Sequence, residues 1–153
     1  MNSYIPVSIV IFLRNKSDQG LELWMQERRE DGPLNGLWEF PGGKIEANED
    51  SFQAGKREVL EEVGVDLGDR ELPLFITHPY EYNDRKVCLY VHLCQEVDPP
   101  SKLGKWWPLD FEKKSKDLDG IIPPVNHHII DELLIFLEKE ANIKREVHNH
   151  GCS

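Results

Sequence analysis

The sequence predicts an α/β (α+β) fold in one domain, with a mixed β-sheet and two main helices. Pairs of β-branched, aromatic-rich runs are separated by turn-forming residues, which is typical of hairpins. Residues 49–63 lie between these runs, and their apolar residues recur with the helical period. A second helical stretch follows Pro123-Pro124. A chain of 153 residues is long enough to bury one core without disulfides or a structural metal.

The strands are predicted from runs of β-branched and aromatic residues bounded by turn formers. The polar loop 15–20 and the tripeptide Asn83-Asp84-Arg85 each join two such runs into a hairpin. Pro41-Gly42-Gly43 is expected to break the backbone after a short strand, and Pro108 is expected to end the last one. The predicted strands are 7–13, 21–25, 38–40, 72–82, 86–94 and 106–109.

Two helices complete the prediction. The first has Asn48 as a plausible N-cap and Gly64 at the position after its end. Its expected inward stripe is Phe52, Lys56, Val59 and Val63. The closing helix is expected to bury Ile129, Leu133, Phe136 and Leu137. We assign residues 1–141 to a single domain and residues 142–153 to a polar, flexible C-terminal tail.

Charge and cysteine content exclude several classes of protein. Acidic residues number 28 against 18 basic ones, so the net charge is −10 and the surface does not generally attract nucleic-acid backbones or anionic lipid. An anionic ligand therefore needs cations between it and the carboxylates. Three cysteines without a CxxC spacing predict reduced thiols, and no apolar run is long enough for a membrane span or looks like a signal peptide. We expect a cytoplasmic protein without a membrane partner, whose oligomeric state the sequence leaves open.

Three carboxylates share one face of the first predicted helix. Glu58, Glu61 and Glu62 stand at i, i+3 and i+4, within an arc of about 100°. Like charges at this spacing destabilise a helix by roughly 0.2–0.5 kcal/mol per pair. The triplet alone is compatible with a solvated acidic face or with a site for a hard divalent cation such as Mg²⁺.

The wider pattern distinguishes these alternatives. Five residues separate Gly43 from Glu49, seven separate Glu49 from Arg57, and Glu58, Glu61, Glu62 and Gly64 follow in fixed register. This resembles the Nudix box, G-x5-E-x7-R-E-U-x-E-E-x-G-U with U aliphatic, and Val59 and Val65 fill both aliphatic positions. So many fixed letters at set spacing rarely coincide by chance.

The resemblance implies a fold, a reaction and a metal. The fold is an α/β/α sandwich around a mixed sheet, with the box as loop–helix–loop, and the reaction is hydrolysis of a nucleoside diphosphate linked to another group. Mg²⁺ is the implied cofactor, with Mn²⁺ as a substitute. The implied metal ligands are Glu58, Glu61, Glu62 and the backbone carbonyl of Gly42. Arg57, with Glu49, is expected to orient the helix, and Arg57, Glu58, Glu61 and Glu62 form the predicted catalytic set.

The flanking segments resemble the MutT-type diphosphatases of oxidised nucleotides. Residues 38–46 are similar to the stretch before the box in that subfamily, which implies that Phe40 contacts the base and places Lys44 among the substrate-binding residues. Arg28 falls where an arginine contacts the nucleotide, Asp84-Arg85 resembles a loop that closes over the purine, and Asn126 resembles an asparagine that reads the guanine edge. Each has a simpler alternative: a core phenylalanine, a hairpin turn and a helix cap.

One departure affects the general base. The subfamily carries a late glutamate, whereas residues 102–105 hold no carboxylate, so Glu61, Glu62 and Glu81 remain candidates. The predicted function is cleavage of the α–β anhydride of (deoxy)nucleoside triphosphates, guanine preferred, to the monophosphate and pyrophosphate. Alternatives are a pyrophosphohydrolase acting on the 5′-triphosphate end of RNA and a non-catalytic nucleotide sensor. A metal-binding tail built from His148, His150 and Cys152 is a further, weaker alternative.

Overall fold

The structure, a computed structural model, describes residues 3–17 and 20–150, apart from the side chains of 16, 17 and 143–150. Within these ranges the strands are β1 (Ile5–Ser17), β2 (Gly20–Glu27), β3 (Trp38–Glu39), β4 (Gly42–Lys44), β5 (Leu74–Glu81), β6 (Lys86–Cys94) and β7 (Lys105–Asp110). The two α-helices are α1 (Ser51–Val63) and α2 (Pro124–His150). A short 3₁₀ turn, Lys116–Leu118, precedes α2.

The described strands form one mixed sheet, as predicted. Its main order is β3-β2-β1-β6-β5, with β4 paired to β1 and β7 paired to β2. Strands β1 and β6 run parallel, from Ile5 opposite Val87 to Phe12 opposite Cys94, and the other pairs are antiparallel. The central position of β1 brings β4 and the chain that leads into α1 beside the middle of the sheet.

The two helices cover opposite faces of the sheet. Alternate residues of β1 point to opposite sides, so Val10 and Phe12 pack in one cluster with Val59 and Val63 of α1. Ile11 and Leu13 belong to a second cluster that includes the inward residues of α2, namely Ile129, Ile130, Leu133 and Leu134. This confirms the expected α/β/α arrangement.

Helix α1 begins two residues later than expected. Its N-cap is Asp50 rather than Asn48, because Asp50 Oδ1 accepts from the Gln53 N–H at 2.8 Å and Gln53 Oε1 accepts from the Asp50 N–H at 2.8 Å. This reciprocal pair satisfies two otherwise unpaired N–H groups. The predicted end is confirmed: Gly64 follows Val63 with φ of 75°, a left-handed conformation that glycine adopts without strain.

The buried face of α1 also differs from the predicted stripe. Ala54, Gly55, Val59 and Val63 are buried, whereas Phe52 is 41% exposed. The Lys56 ammonium reaches out to the Gly68 carbonyl at 3.0 Å instead of lying along the core. Small residues at 54 and 55 let the helix backbone approach the sheet, and such residues do not add to a stripe of large apolar side chains.

Several strands are longer than predicted. β1 and β2 extend into the expected polar loop, with Ser17 paired to Gly20. Gly42 and Gly43 form part of β4 instead of a break, because they pair with Ile9 and Ser8 of β1. Pro108 lies inside β7 opposite Glu22, which a proline can do because β7 pairs along one edge, with β2.

Helix α2 continues beyond the predicted domain limit at residue 141, reaching His150, and the division into domain and tail stays a prediction. Phe136 is 43% exposed and packs against Phe75 at a ring distance of 5.4 Å, so it is not the core residue that the apolar spacing indicated. The suggested metal ligands His148, His150 and Cys152 lie outside the described side chains. Cys88 and Cys94 are free thiols.

In the described ranges, none of the helices has the length and apolar character that crossing a membrane requires. The cytoplasmic location stays a prediction.

Candidate active site

Arg57 is the centre of the charged cluster on α1. Its Nη2 lies 2.6 Å from Glu49 Oε1, and its Nε lies 3.1 Å from Glu49 Oε2. Its Nη1 donates to Glu58 Oε1 at 3.0 Å and lies 3.4 Å from Glu61 Oε2. The neighbouring carboxylates raise the pKa of Arg57 above its already high value, chiefly through the hydrogen bonds with Glu49. One planar guanidinium therefore fixes the geometry of several carboxylates at once.

The loop before α1 is attached to the same guanidinium. Arg57 Nη2 also donates to the backbone carbonyl of Lys44 at 3.0 Å, at the end of β4. Glu49 Oε1 accepts from the Glu46 N–H at 2.9 Å. The hydrogen bonds from Arg57, followed by the one from Glu46, lower the pKa of Glu49. Glu49 and Arg57 thus hold the chain from β4 to the helix, which agrees with the orienting role that the resemblance implies.

Glu62 points towards the sheet. Its Oε2 accepts from Gln26 Nε2 at 2.8 Å, a β2 contact that the sequence did not indicate. Burial raises the pKa of Glu62, and the nearby Glu58 carboxylate raises it further, while Gln26 and the Gly42 N–H oppose that shift. Two carboxylates held this close are stabilised by a proton or by a cation between them.

Gly43 leaves space for Glu58. A Cβ atom built on Gly43 would overlap the Glu58 carboxylate, and one on Gly42 would overlap the Ser8 carbonyl. The side chain of Glu58 therefore approaches the β4 backbone in a way that any other residue at 43 would prevent. This close approach brings carboxylate oxygens beside backbone at Gly42-Gly43, where the resemblance places a metal.

The donor set fits a hard divalent cation. Carboxylate oxygens and a backbone carbonyl are the ligands that Mg²⁺ prefers, and Glu58, Glu61, Glu62 and Gly42 offer them. In the part of the chain that the structure describes, no three carboxylate, imidazole or thiol groups already converge on one point. In the structure Arg57 holds Glu58 and Glu61, and Gln26 holds Glu62.

A cavity of about 460 Å³ includes the Glu62 carboxylate in its wall, and this volume is in the range of small-molecule sites. Residues of β4 and the start of α2 also line it, namely Gly42, Gly43, Lys44, Val125 and Asn126. Its apolar lining comes mainly from β1 and β6, namely Ile5, Val7, Ile9, Val87 and Leu89. Among the predicted substrate-binding residues, Arg28, Phe40, Lys44, Arg85 and Asn126 line it.

Asn126 lines this cavity and is 5% exposed. It is the third residue of α2, so the helix-cap alternative is wrong for this position. Its backbone N–H donates to the Pro123 carbonyl at 3.0 Å. Its side-chain amide makes no hydrogen bond to any residue that the structure describes, which leaves a donor and an acceptor available to a ligand.

Phe40 belongs to the core and also lines the cavity. It is 6% exposed and packs in the cluster that includes the inward residues of α2, so the core interpretation is confirmed, and the contact with a base stays a prediction.

Arg28 and Glu39 form a charged pair in the cavity wall that the sequence revealed only in part. Arg28 Nη1 lies 3.4 Å from Glu39 Oε2, and Nη2 lies 3.1 Å from Glu30 Oε2. Burial raises the pKa of Glu39, whereas Arg28 lowers it. Glu39 was absent from the predicted site, although a carboxylate between Trp38 and Phe40 in a short strand is a signal of a polar group facing a pocket.

The hairpin tip between β5 and β6 forms another part of the wall. Its turn is closed by the Tyr82 N–H, which donates to the Arg85 carbonyl at 2.7 Å, while the Arg85 guanidinium lies 4.6 Å from the Tyr82 ring centre. Arg85 and Tyr82 line the cavity, and Asp84 lines an adjoining one with Arg28. Glu81 lies outside both cavities, near Lys86 at 3.5 Å, so it is poorly placed for a general base.

The chain belongs to the NUDIX domain family, which matches residues 5–119. It is a Nudix hydrolase, an assignment that the curated relatives support. A protein named 8-oxo-dGTP diphosphatase from Escherichia coli (strain K12) is 33% identical over 126 residues, which cover 79% of this chain and 90% of that protein. Another protein of that name, from Buchnera aphidicola subsp. Acyrthosiphon pisum, is 42% identical over 104 residues, covering 63% and 77%.

Solved structures share the fold. A MutT protein from Methanosarcina mazei Go1 superposes with a TM-score of 0.64 at 22% identity, covering 90% of this chain and 97% of that one. The Ap4A hydrolase of C. elegans gives 0.63 at 18% identity, covering 88% and 99%. At these identities the likeness establishes the architecture and leaves the substrate to the residues of the site.

Proposed function

We propose that this Nudix hydrolase cleaves the α–β anhydride of guanine (deoxy)nucleoside triphosphates, releasing the monophosphate and pyrophosphate. The observation that carries the proposal is one cavity lined both by the Glu62 carboxylate and by Asn126, a largely buried residue whose amide has no hydrogen-bond partner among the described residues. The relatives named 8-oxo-dGTP diphosphatase support a free nucleotide of this class as the substrate.

The lining of the cavity offers groups that suit both parts of such a nucleotide. The Asn126 amide can donate to and accept from a guanine edge, and the Phe40 ring and the apolar lining residues can pack against the base. Lys44, Arg28 and Arg85 can donate to phosphate oxygens, and Arg28 is also held by Glu39 in the cavity wall.

The proposed metal ligands are Glu58, Glu61, Glu62 and the carbonyl of Gly42, with Mg²⁺ as the cofactor. Bound there, a divalent cation would neutralise phosphate charge and lower the pKa of a water molecule. Arg57 orients Glu58 and Glu61, and Gly43 leaves the space in which Glu58 lies. Glu62 lines the cavity, whereas Glu61 and Glu81 do not, so Glu62 is best placed to accept a proton from the attacking water.

A pyrophosphate-release panel tests this function. dGTP, 8-oxo-dGTP, GTP, dATP, dCTP and a 5′-triphosphorylated RNA are compared at equal concentration, each with Mg²⁺ and with chelator. We expect Mg²⁺-dependent release that is fastest with a guanine nucleotide. Faster release from the RNA than from every free nucleotide would replace the proposed substrate, and binding of nucleotide without release would indicate a sensor.

A further inference from the structure

A chain of buried polar groups anchors the start of α1 to the sheet. His92, on β6, is completely buried, and its Nδ1 lies 3.0 Å from the Leu72 carbonyl. Because a carbonyl oxygen can only accept, Nδ1 carries the proton and Nε2 is left as an acceptor. Ser51, the first residue of α1, lies with its Oγ 3.0 Å from Nε2 and therefore donates to it.

The chain continues through the backbone of the same serine. The Ser51 carbonyl accepts from Ser8 Oγ at 2.7 Å, and Ser8 is completely buried on β1. Each hydroxyl donates one hydrogen bond and the imidazole uses both ring nitrogens, so every group in the chain is satisfied. The first turn of α1 is thus attached to two different strands by bonds of fixed direction.

This polar chain leads to the candidate metal site. Ser8 stands opposite Gly43 in the β1–β4 pairing, and Gly43 is the residue against which the Glu58 carboxylate packs. A Cβ built on Gly55 would lie 3.0 Å from Ser8 Oγ, so the helix passes close to the same serine one turn later. Ser8 therefore pairs with the β4 strand in the sheet and contacts, through its hydroxyl, the helix that carries the carboxylates.

We propose that His92, in its neutral Nδ1–H form, is a positioning residue that sets the placement of α1 through Ser51 and Ser8, and thereby the distance between the carboxylates and the Gly42-Gly43 backbone. The small residues Ala54 and Gly55 allow close packing but do not by themselves fix how far α1 slides along its axis. Directional bonds inside a dry core can fix it, because each is lost when the helix shifts. The inference rests on the metal site of the proposed function.

The first test measures Mn²⁺ binding to the protein without nucleotide, by electron paramagnetic resonance. His92→Leu removes both ring bonds, His92→Gln keeps one donor and one acceptor, and Ser51→Ala removes a single hydroxyl. Ile130→Ala is the matched control, since Ile130 is also completely buried but belongs to the α2-side core. All variants are compared with the wild type at equal protein concentration, together with their melting temperatures.

We expect His92→Leu and Ser51→Ala to weaken Mn²⁺ binding by about tenfold, as loss of residues that orient ligands usually does. His92→Gln should keep the Mn²⁺ affinity of the wild type. Ile130→Ala should lower the melting temperature without changing the Mn²⁺ affinity. If His92→Leu and Ser51→Ala lower only the melting temperature, the network is structural and the inference is overturned. If His92→Leu does not fold, Ser51→Ala decides alone. A wild type that binds no Mn²⁺ would refute the proposed function itself.

The second test needs no metal. Long-range ¹H–¹⁵N NMR of the imidazole distinguishes the two neutral tautomers and the cation. We expect a neutral His92 protonated at Nδ1 at pH 7 in the wild type and in Ile130→Ala. The other tautomer would lose the bond to the Leu72 carbonyl, and a protonated ring would donate to Ser51 rather than accept from it; either result would overturn the inference.

Discussion

Replacing Asn126 with alanine is expected to remove guanine preference while leaving the fold intact. The amide has no hydrogen-bond partner among the described residues, so truncation breaks no internal hydrogen bond. The melting temperature should therefore change little. With substrate bound, however, the guanine edge would lose its partner in the cavity, which costs about 1–3 kcal/mol.

That cost corresponds to a fall of roughly 5- to 150-fold in kcat/KM for dGTP, with much less effect on dATP. The assay measures kcat/KM for both nucleotides alongside the melting temperature. Asn15→Ala is the matched control, because Asn15 is an exposed asparagine of β1 that does not line the cavity. An unchanged dGTP/dATP ratio in Asn126→Ala would remove this residue from the site and refute the argument from its unpaired amide.

Glu61→Gln should reduce Mg²⁺-dependent turnover by roughly 10²-fold. The melting temperature should not fall, because the Glu61 side chain is 59% exposed and its contact with Arg57, at 3.4 Å, is long. Full turnover at saturating Mg²⁺ would contradict the proposed role of Glu61. Arg57→Lys should weaken Mn²⁺ binding by about tenfold and lower the melting temperature, because an ammonium cannot reproduce the fork that joins Glu49, Glu58 and the Lys44 carbonyl. Retention of both properties would show that a single positive charge suffices. Burial lowers the pKa of His92 in the folded protein, so on acidification the histidine is protonated first in the unfolded chain. The contribution of the neutral His92 to the free energy of unfolding is therefore complete above about pH 6.5 and declines as the pH falls. His92→Gln should therefore make the melting temperature less dependent on pH below about pH 6.5. Part of the dependence should remain, because burial also lowers the pKa of His78. The same pH dependence in the variant and the wild type would exclude a contribution from His92.

The sequence by itself determined the parts of this protein that depend on local spacing. Glu58, Glu61 and Glu62 share a helix face because of the helical repeat, and the Gly64 end of α1 follows from a conformation that glycine adopts readily. The mixed sheet and the two helices were also evident from periodicity. The predicted start of α1 was wrong by two residues, because Asp50 and Gln53 form the N-terminal cap instead of Asn48.

Only the tertiary structure decided which distant residues meet at the site. Gln26 reaches Glu62 across 36 positions, and Ser51 reaches His92 across 41, because strand pairing brings β2 and β6 beside α1. Neither contact leaves a periodic signal, since one polar residue in an apolar strand has the same appearance whether it faces solvent or a buried partner. Long-range contacts of this kind are fixed by the packing of the whole sheet against both helices, which no short stretch of sequence encodes.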